Sequence, residues 1–301
     1  MAAAYISPAA EGAKPSAAQP RHSGVRKTLE NLIHLIFLLC GVVAVAFVLL
    51  ISIYLILSGI PAIREIGLGK FLFGKVWDPT NTTTGAQYGI LAFILTSIYG
   101  TAGAILIGVP VGLLTAVFLA RVAPPRLAAV IRTAVQLLAG IPSVVYGLVG
   151  MMVFIQLMGL KAGILAGGLT LVIMILPTII EISESAIRAV PNSYYEGSLA
   201  LGATHERSVY CATLPAAKSG IMAGIILGIG RAIGETMAVV MIAGNQTVIP
   251  KSLLSGVRTM TANIVMEMGY ATDLHRGALI GTGVVLFVFI LLINVCFSLV
   301  K

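Results

Sequence analysis

Apolar runs alternate with short polar segments along the whole chain. The runs fall at about 31–59, 88–119, 129–157, 162–183, 218–243 and 278–300. A bilayer core of about 30 Å takes roughly 20 residues in helical form, because lipid offers the backbone no hydrogen-bond partner. Each run meets that length, so the pattern predicts an all-α integral membrane protein with about six transmembrane helices. The second and third runs exceed one perpendicular crossing, and tilt or extension beyond the lipid is expected of them. No internal repeat is visible, which leaves a single membrane domain as the simplest organisation.

Composition sharpens this picture. Of 301 residues, 58% are hydrophobic and 10% charged, whereas a soluble domain carries about 45–50% apolar and roughly 25% charged residues. Lys and Arg outnumber Asp and Glu by 19 to 11. In a membrane protein such a surplus belongs to cytoplasmic loops and anionic headgroups. Nucleic-acid binding is the poorer explanation, since the basic residues are scattered singly. An even number of spans puts both termini on one side. If that side is the cytoplasm, the basic residues of the N-terminal tail, of 121–132, of 188–218 and Lys301 give it a slight excess, the expected direction.

Residues 1–27 are rich in Ala, Pro, Ser and Gly and read as a disordered cytoplasmic tail, ahead of a membrane domain at 28–301. The first apolar run follows Arg26 and Lys27 and lacks a small-residue cleavage site, so it reads as a retained helix. Cys40, Cys211 and Cys296 have no metal-type spacing and read as small packing residues.

Three prolines, Pro110, Pro142 and Pro177, lie inside expected spans. Each removes one helical hydrogen bond and permits a kink or a break where neighbours satisfy the freed carbonyl. Pro142 has a second reading as part of a substrate pathway, because Ser143 and Tyr146 bring hydroxyls into an otherwise apolar stretch. The fifth run contains Gly230-Arg231-Ala232-Ile233-Gly234-Glu235-Thr236. A charge at mid-bilayer costs about 2.5–3.5 kcal/mol on insertion scales, so these charges should face a bundle or a wet pathway. Four residues of helix put Arg231 and Glu235 one turn apart, where they can pair. Arginine also suits an oxyanion, because its planar fork donates parallel hydrogen bonds and stays protonated. Two readings stand: Arg231 exchanges Glu235 for a passing anion, or the pair stays closed and fixes helix packing.

Between the fourth and fifth runs, Glu196-Gly197-Ser198 is followed by Gly202 and then Ala212-Thr213-Leu214-Pro215. Helix-forming stretches either side of Gly202, closed by Pro215, predict two short helices at a glycine turn. Leu199, Leu201, Val209 and Leu214 leave it a partly apolar face, which suits either a docking element or an ordinary loop. Glu181, Glu184 and Arg188, spaced three and four apart, read as a solvated ion-pair cluster at the membrane edge, with a gate or proton relay as the other possibility.

Several signals fail. Gly69 to Val76 departs from a nucleotide-binding P-loop at Val76, and Trp77-Asp78-Pro79 blocks the helix such a loop needs. Asn81-Thr82-Thr83 is a glycosylation sequon only in a secretory pathway. The four histidines have no metal-ligand spacing. No nucleophile elbow or Ser/His/Asp set is present, so neither catalysis nor a cofactor is expected of this chain.

The 196–215 segment resembles the permease subunits of binding-protein-dependent ABC importers, whose coupling pattern is E-A-A, three residues, G, nine residues, I-x-L-P. Glu196, Gly202, Leu214 and Pro215 match it, and the chain departs at Gly197, Ser198 and Ala212. Within that superfamily, Gly230 to Val239, Gly140-Ile141-Pro142-Ser143-Val144-Val145-Tyr146-Gly147-Leu148, and Trp77-Asp78-Pro79 followed by Tyr88-Gly89 resemble the phosphate permeases called PstC. The sister permease, PstA, usually has Ala-Pro where Met237-Ala238 stand. The similarity spans about residues 30–300. It implies a type I ABC importer permease fold, a bacterial plasma-membrane location, and a coupling loop at about 185–217 that docks an ATPase in the cytoplasm through Glu196, Gly197, Ser198, Gly202, Leu214 and Pro215. It further implies a heterodimer with PstA, two copies of the ATPase PstB, a phosphate-binding protein PstS, and a phosphate pathway past Arg231, Glu235, Thr236, Ser143 and Tyr146. ATP chemistry would lie in the partner. A permease for another oxyanion such as molybdate or sulfate is the nearest alternative; a stand-alone anion channel or carrier fits the docking pattern less well, and a membrane enzyme lacks a catalytic cluster.

Overall fold

The computed structural model describes residues 24–83 and 85–300. Most of the tail expected at 1–27 lies outside these residues, and Gly24 to Lys27 already belong to helix α1, Gly24–Ile66. The chain divides into two units, the first ending at Ile53 and the second beginning at Tyr54. The first unit is the N-terminal part of α1, whose sequence from Leu29 onward is almost wholly apolar.

In the second unit the rest of α1 is followed by α2 (Leu68–Phe73) and a two-stranded hairpin, β1 (Trp77–Asp78) and β2 (Gln87–Tyr88), with Trp77 opposite Tyr88. Next come α3 (Leu91–Val117), α4 (Pro125–Ala139), α5 (Ser143–Gly150), α6 (Ile164–Ala189), α7 (Asn192–Ala200) and α8 (His205–Ser208). The remainder is α9 (Leu214–Gly234), α10 (Met237–Ile242), α11 (Met260–Glu267) and α12 (Asp273–Val300). Wider π-type turns extend α3 through Phe118–Val122 and α5 through Met151–Leu157, and join α8 to α9 through Val209–Thr213. Among the described residues, five helices are long and apolar enough to cross a membrane, and the bent pair α4 and α5 makes a sixth if it counts as one crossing.

Helix α6 is the axis of the second unit. Gly108 and Gly112 of α3 face Ile175 and Ile179, while Gly220, Gly224 and Gly228 of α9 face Ala186, Ile182 and Ile179. A Cβ at Gly108 or Gly112 would lie 2.8 Å from the facing isoleucine. Small residues four apart let helices approach where hydrocarbon supplies no driving force of its own. Apolar clusters then fill both ends and the middle. Phe71, Trp77, Ile90, Phe93, Met260 and Leu279 pack beside the start of α3, and Ala116, Val117, Ile187, Val209 and Ile221 beside its end.

At the end holding the hairpin, Glu267 is buried and accepts hydrogen bonds from Trp77 Nε1 at 2.9 Å and Arg258 Nη1 at 2.5 Å. His275 Nε2 lies 2.9 Å from the same carboxylate. These contacts tie β1, the approach to α11 and the start of α12 together. The Trp77-Asp78-Pro79 motif therefore earns its place as packing, with Trp77 against Tyr88 and Phe93.

The interruption expected at Pro142 is a full break, since α4 and α5 meet at 98°. Three sequence expectations need correction. The fifth run is not one helix, because α9 ends at Gly234. Pro215 does not close the loop either: α8 passes through the π-type turn at Val209–Thr213 directly into α9. Proline lacks an N–H and its ring crowds the carbonyl four residues back, and the wider turn just before it absorbs both. The cysteines are also exposed on helix surfaces rather than packed.

Candidate functional site

Two helix breaks meet in the middle of the second unit. The first lies at Gly140 to Pro142. Pro142 has an extended backbone (ψ 141°) and begins α5, and its ring disfavours helix at Ile141. In a continuous helix the Leu138 carbonyl would accept the N–H of residue 142, which proline lacks. That carbonyl instead accepts the Ile141 N–H at 3.1 Å and the Tyr146 hydroxyl at 2.6 Å. Tyr146 is thus buried and turned to the backbone, while Ser143 stands half-buried at the first turn of α5.

The second break is at Glu235, whose backbone is extended (φ −67°, ψ 132°) between α9 and α10. Its carboxylate accepts the Ala238 N–H at 3.0 Å, covering an unpaired donor at the start of α10. Its carbonyl accepts from Thr261 Oγ1 at 2.9 Å. Thr236 donates to the Gly234 carbonyl at 3.2 Å.

The expected Arg231–Glu235 ion pair is not made. One helical turn would have aligned the two, but α9 stops between them and turns the carboxylate toward α10. Arg231 Nη1 instead donates to Thr178 Oγ1 at 3.1 Å. Thr178 follows Pro177 on α6, a pairing across 53 residues that no local spacing rule detects. Among the described residues no carboxylate reaches Arg231 within ion-pair distance. Gly230 and Gly234 have no atom within 4 Å of where a Cβ would sit, so this side of α9 is open.

The breaks are held together by α5 against α10. A Cβ on Gly147 would lie 2.9 Å from Ala238 Cα and 3.1 Å from its carbonyl oxygen. Tyr146, Ala232, Ala238, Val239, Ile175 and Ile179 share one buried cluster around this contact. Gly147→Ala is expected to lower the melting temperature of the detergent-solubilised protein, since overpacking costs about 1–3 kcal/mol. An unchanged melting curve would show that α5 and α10 separate freely.

The second expected site forms a projecting knob. Gly202 has φ +85° and reverses the chain between α7 and α8. Its N–H and that of Ala203 bond back to Leu199 and Ser198. Thr204 caps α8 by accepting from Arg207 N at 3.3 Å. Tyr195 and His205 join the two helices at 2.7 Å. Glu196 and Gly197 are exposed on α7, Ser198 is half-buried beside them, Leu201 is 91% exposed, and Leu214 and Pro215 open α9. Tyr194, Leu199 and Tyr210 add exposed apolar surface.

The edge cluster differs from its sequence reading. Glu184 is 4% exposed rather than solvated, and it lies between Arg188 Nε at 2.8 Å and Arg132 Nη2 at 2.6 Å. Glu181 takes no part in these ion pairs, and Arg132 enters from α4, across 52 residues.

An open arginine beside two interrupted helices, with a knob at the end of the bundle, defines a multi-pass membrane permease with the fold of type I ABC importer subunits. The chain belongs to the family of binding-protein-dependent transport system inner membrane components, which it matches over residues 108–301. It is 36% identical over 269 residues to the probable ABC transporter permease protein YqgH of Bacillus subtilis, covering 85% of this chain and 86% of that one. It is 35% identical over 274 residues to the phosphate transport system permease protein PstC of Xylella fastidiosa (81% and 83% covered), and 34% identical over 269 residues to PstC of Haemophilus influenzae (80% and 84%). Among solved structures it resembles a bacterial alginate ABC transporter (TM-score 0.61, 15% identity, 90% of this chain and 93% of that chain). It also resembles the inward-facing MetNI methionine ABC transporter (TM-score 0.53, 22% identity, 70% and 92%).

Proposed function

We propose that this chain is the PstC-type permease subunit of an ATP-driven importer of inorganic phosphate. The observation that carries the reading is Arg231, a half-buried guanidinium on a membrane-spanning helix that is held by the Thr178 hydroxyl and, among the described residues, by no carboxylate. Such a group offers a dehydrating oxyanion charge-assisted hydrogen bonds. Broken helices at mid-membrane also place helix ends where an ion passes. The permeases named PstC, at 34–35% identity, support phosphate as the ion.

In this reading Arg231 meets the anion, Glu235 and Thr236 shape the break, and Ser143 and Tyr146 hold the opposite wall. The pathway is completed by a PstA-type sister permease across the open side of α9. The 192–214 knob sits in the cytoplasm with both termini, where Glu196, Gly197, Ser198, Gly202, Leu214 and Pro215 present the docking surface to one of two PstB-type ATPases. A PstS-type binding protein delivers phosphate to the other face. ATP binding favours one docked state and hydrolysis the other, which alternates access to Arg231.

A second reading, import of another oxyanion, has the same arginine in its favour, because a guanidinium does not by itself encode phosphate. Uptake by the reconstituted complex in proteoliposomes separates the two. Phosphate is expected to be transported, arsenate to compete, and sulfate and molybdate to leave the rate unchanged. Transport of molybdate or sulfate in preference to phosphate would replace the first reading by the second.

A further inference from the structure

The buried carboxylate of Glu184 lies between the knob and the first helix break. Arg188 holds it at 2.8 Å and also donates to the Leu119 carbonyl at 3.2 Å, while Arg132 reaches it from α4 at 2.6 Å. Next to this set, Arg121 donates to the Ile187 carbonyl at 3.3 Å and to Asn192 Oδ1 at 3.4 Å, and lies over the Tyr195 ring. Asn192 and Tyr195 belong to α7, and Tyr195 bonds His205 of α8. Both halves of the knob are therefore tied to the base of α6, and the base of α6 to α4. Helix α4 ends at the break that Tyr146 bridges.

We propose that Glu184 is a positioning residue that makes α4 follow the knob, so that movement of the docking surface reaches the Gly140–Pro142 break and the wall opposite Arg231. The proposal rests on the knob's being the ATPase-docking site. Two guanidiniums on one carboxylate fix direction as well as distance, which an apolar contact does not. A buried ion pair is weak grounds for stability, because well-packed apolar replacements are often neutral. That difference separates a coupling role from a structural one.

The test is the double variant Glu184→Leu with Arg132→Leu, which removes both charges of the α4–α6 contact and leaves the exposed Arg188 on the Leu119 carbonyl, alongside Glu184→Asp. Spin labels at Ala129→Cys on α4 and Ser193→Cys on α7, with the three native cysteines replaced by serine, report whether the two move together. In the full transporter in nanodiscs the unaltered Glu184 is expected to give one narrow distance with and without ATP. The double-leucine variant should give a broadened distribution, and its phosphate uptake per ATP hydrolysed should fall about fivefold or more while assembly persists. Glu184→Asp should recover part of both. A narrow, unshifted distance and normal uptake per ATP in the double-leucine variant would overturn the proposal. If the unaltered complex takes up no phosphate, the import reading fails instead, and the nucleotide-free label distance still decides the role of Glu184.

Discussion

Arg231→Gln is expected to reduce phosphate uptake at least tenfold, roughly, while the complex assembles at normal levels, because charge-assisted hydrogen bonds contribute about 1.5–3 kcal/mol each. Glutamine stays polar but is two atoms shorter than arginine, so it gives up the Thr178 contact as well as the charge and the planar fork. Assembly should survive because, among the described residues, Arg231 has no paired carboxylate to leave behind. Removing Arg132 or Arg258 is different: the buried carboxylate of Glu184 or Glu267 would lose one of its cationic partners, which should destabilise the fold. Glu235→Gln makes the contrast within the site. Its amide oxygen still accepts the Ala238 N–H, so α10 keeps its cap and uptake should fall far less. Uptake assays at matched expression read both variants. Full uptake by Arg231→Gln would remove the arginine from the pathway, and equal losses in the two variants would mean that the ion pair expected from sequence forms during transport after all.

The crossings were legible because a bilayer imposes length: an apolar run of 20 or so residues has few other uses. Interruptions within them were not. Pro142 is compatible with a kink or a break, and hydropathy is blind to which occurs. The interruption at Glu235 has no proline to announce it, and its cause lies in Glu235 capping α10 and bonding Thr261, a residue 26 positions away. Since the Arg231–Glu235 pair was inferred from helical continuity, it fell with that continuity. Arg132, Thr178 and Glu267 escaped notice for one reason. Spacing rules see three or four residues, whereas their partners lie 52, 53 and, for Trp77, 190 residues away. The Gly202 turn was readable because a left-handed residue between two helices is a local matter, and the Pro215 stop misled because the preceding π-type turn absorbed it.

Gly202→Val is expected to detach or uncouple the ATPase. No neighbour lies within 4 Å of a Cβ at this position, so the substitution clashes with nothing beyond its own backbone. The effect comes from φ +85°, where a β-branched residue is strained by about 1–3 kcal/mol. The chain escapes the strain by swinging α8 away from α7, which breaks the Tyr195–His205 contact and splits the exposed surface of Tyr194, Leu199, Leu201 and Tyr210. If the whole strain is charged to docking, affinity falls roughly tenfold or more. Asparagine tolerates the left-handed region, so Gly202→Asn should retain most binding and coupling. Co-purification of the ATPase and its stimulation by substrate read the outcome. Normal binding and stimulation in Gly202→Val would count against docking at this knob, and equal loss in Val and Asn would point to a requirement for a bare backbone at the contact rather than for the turn.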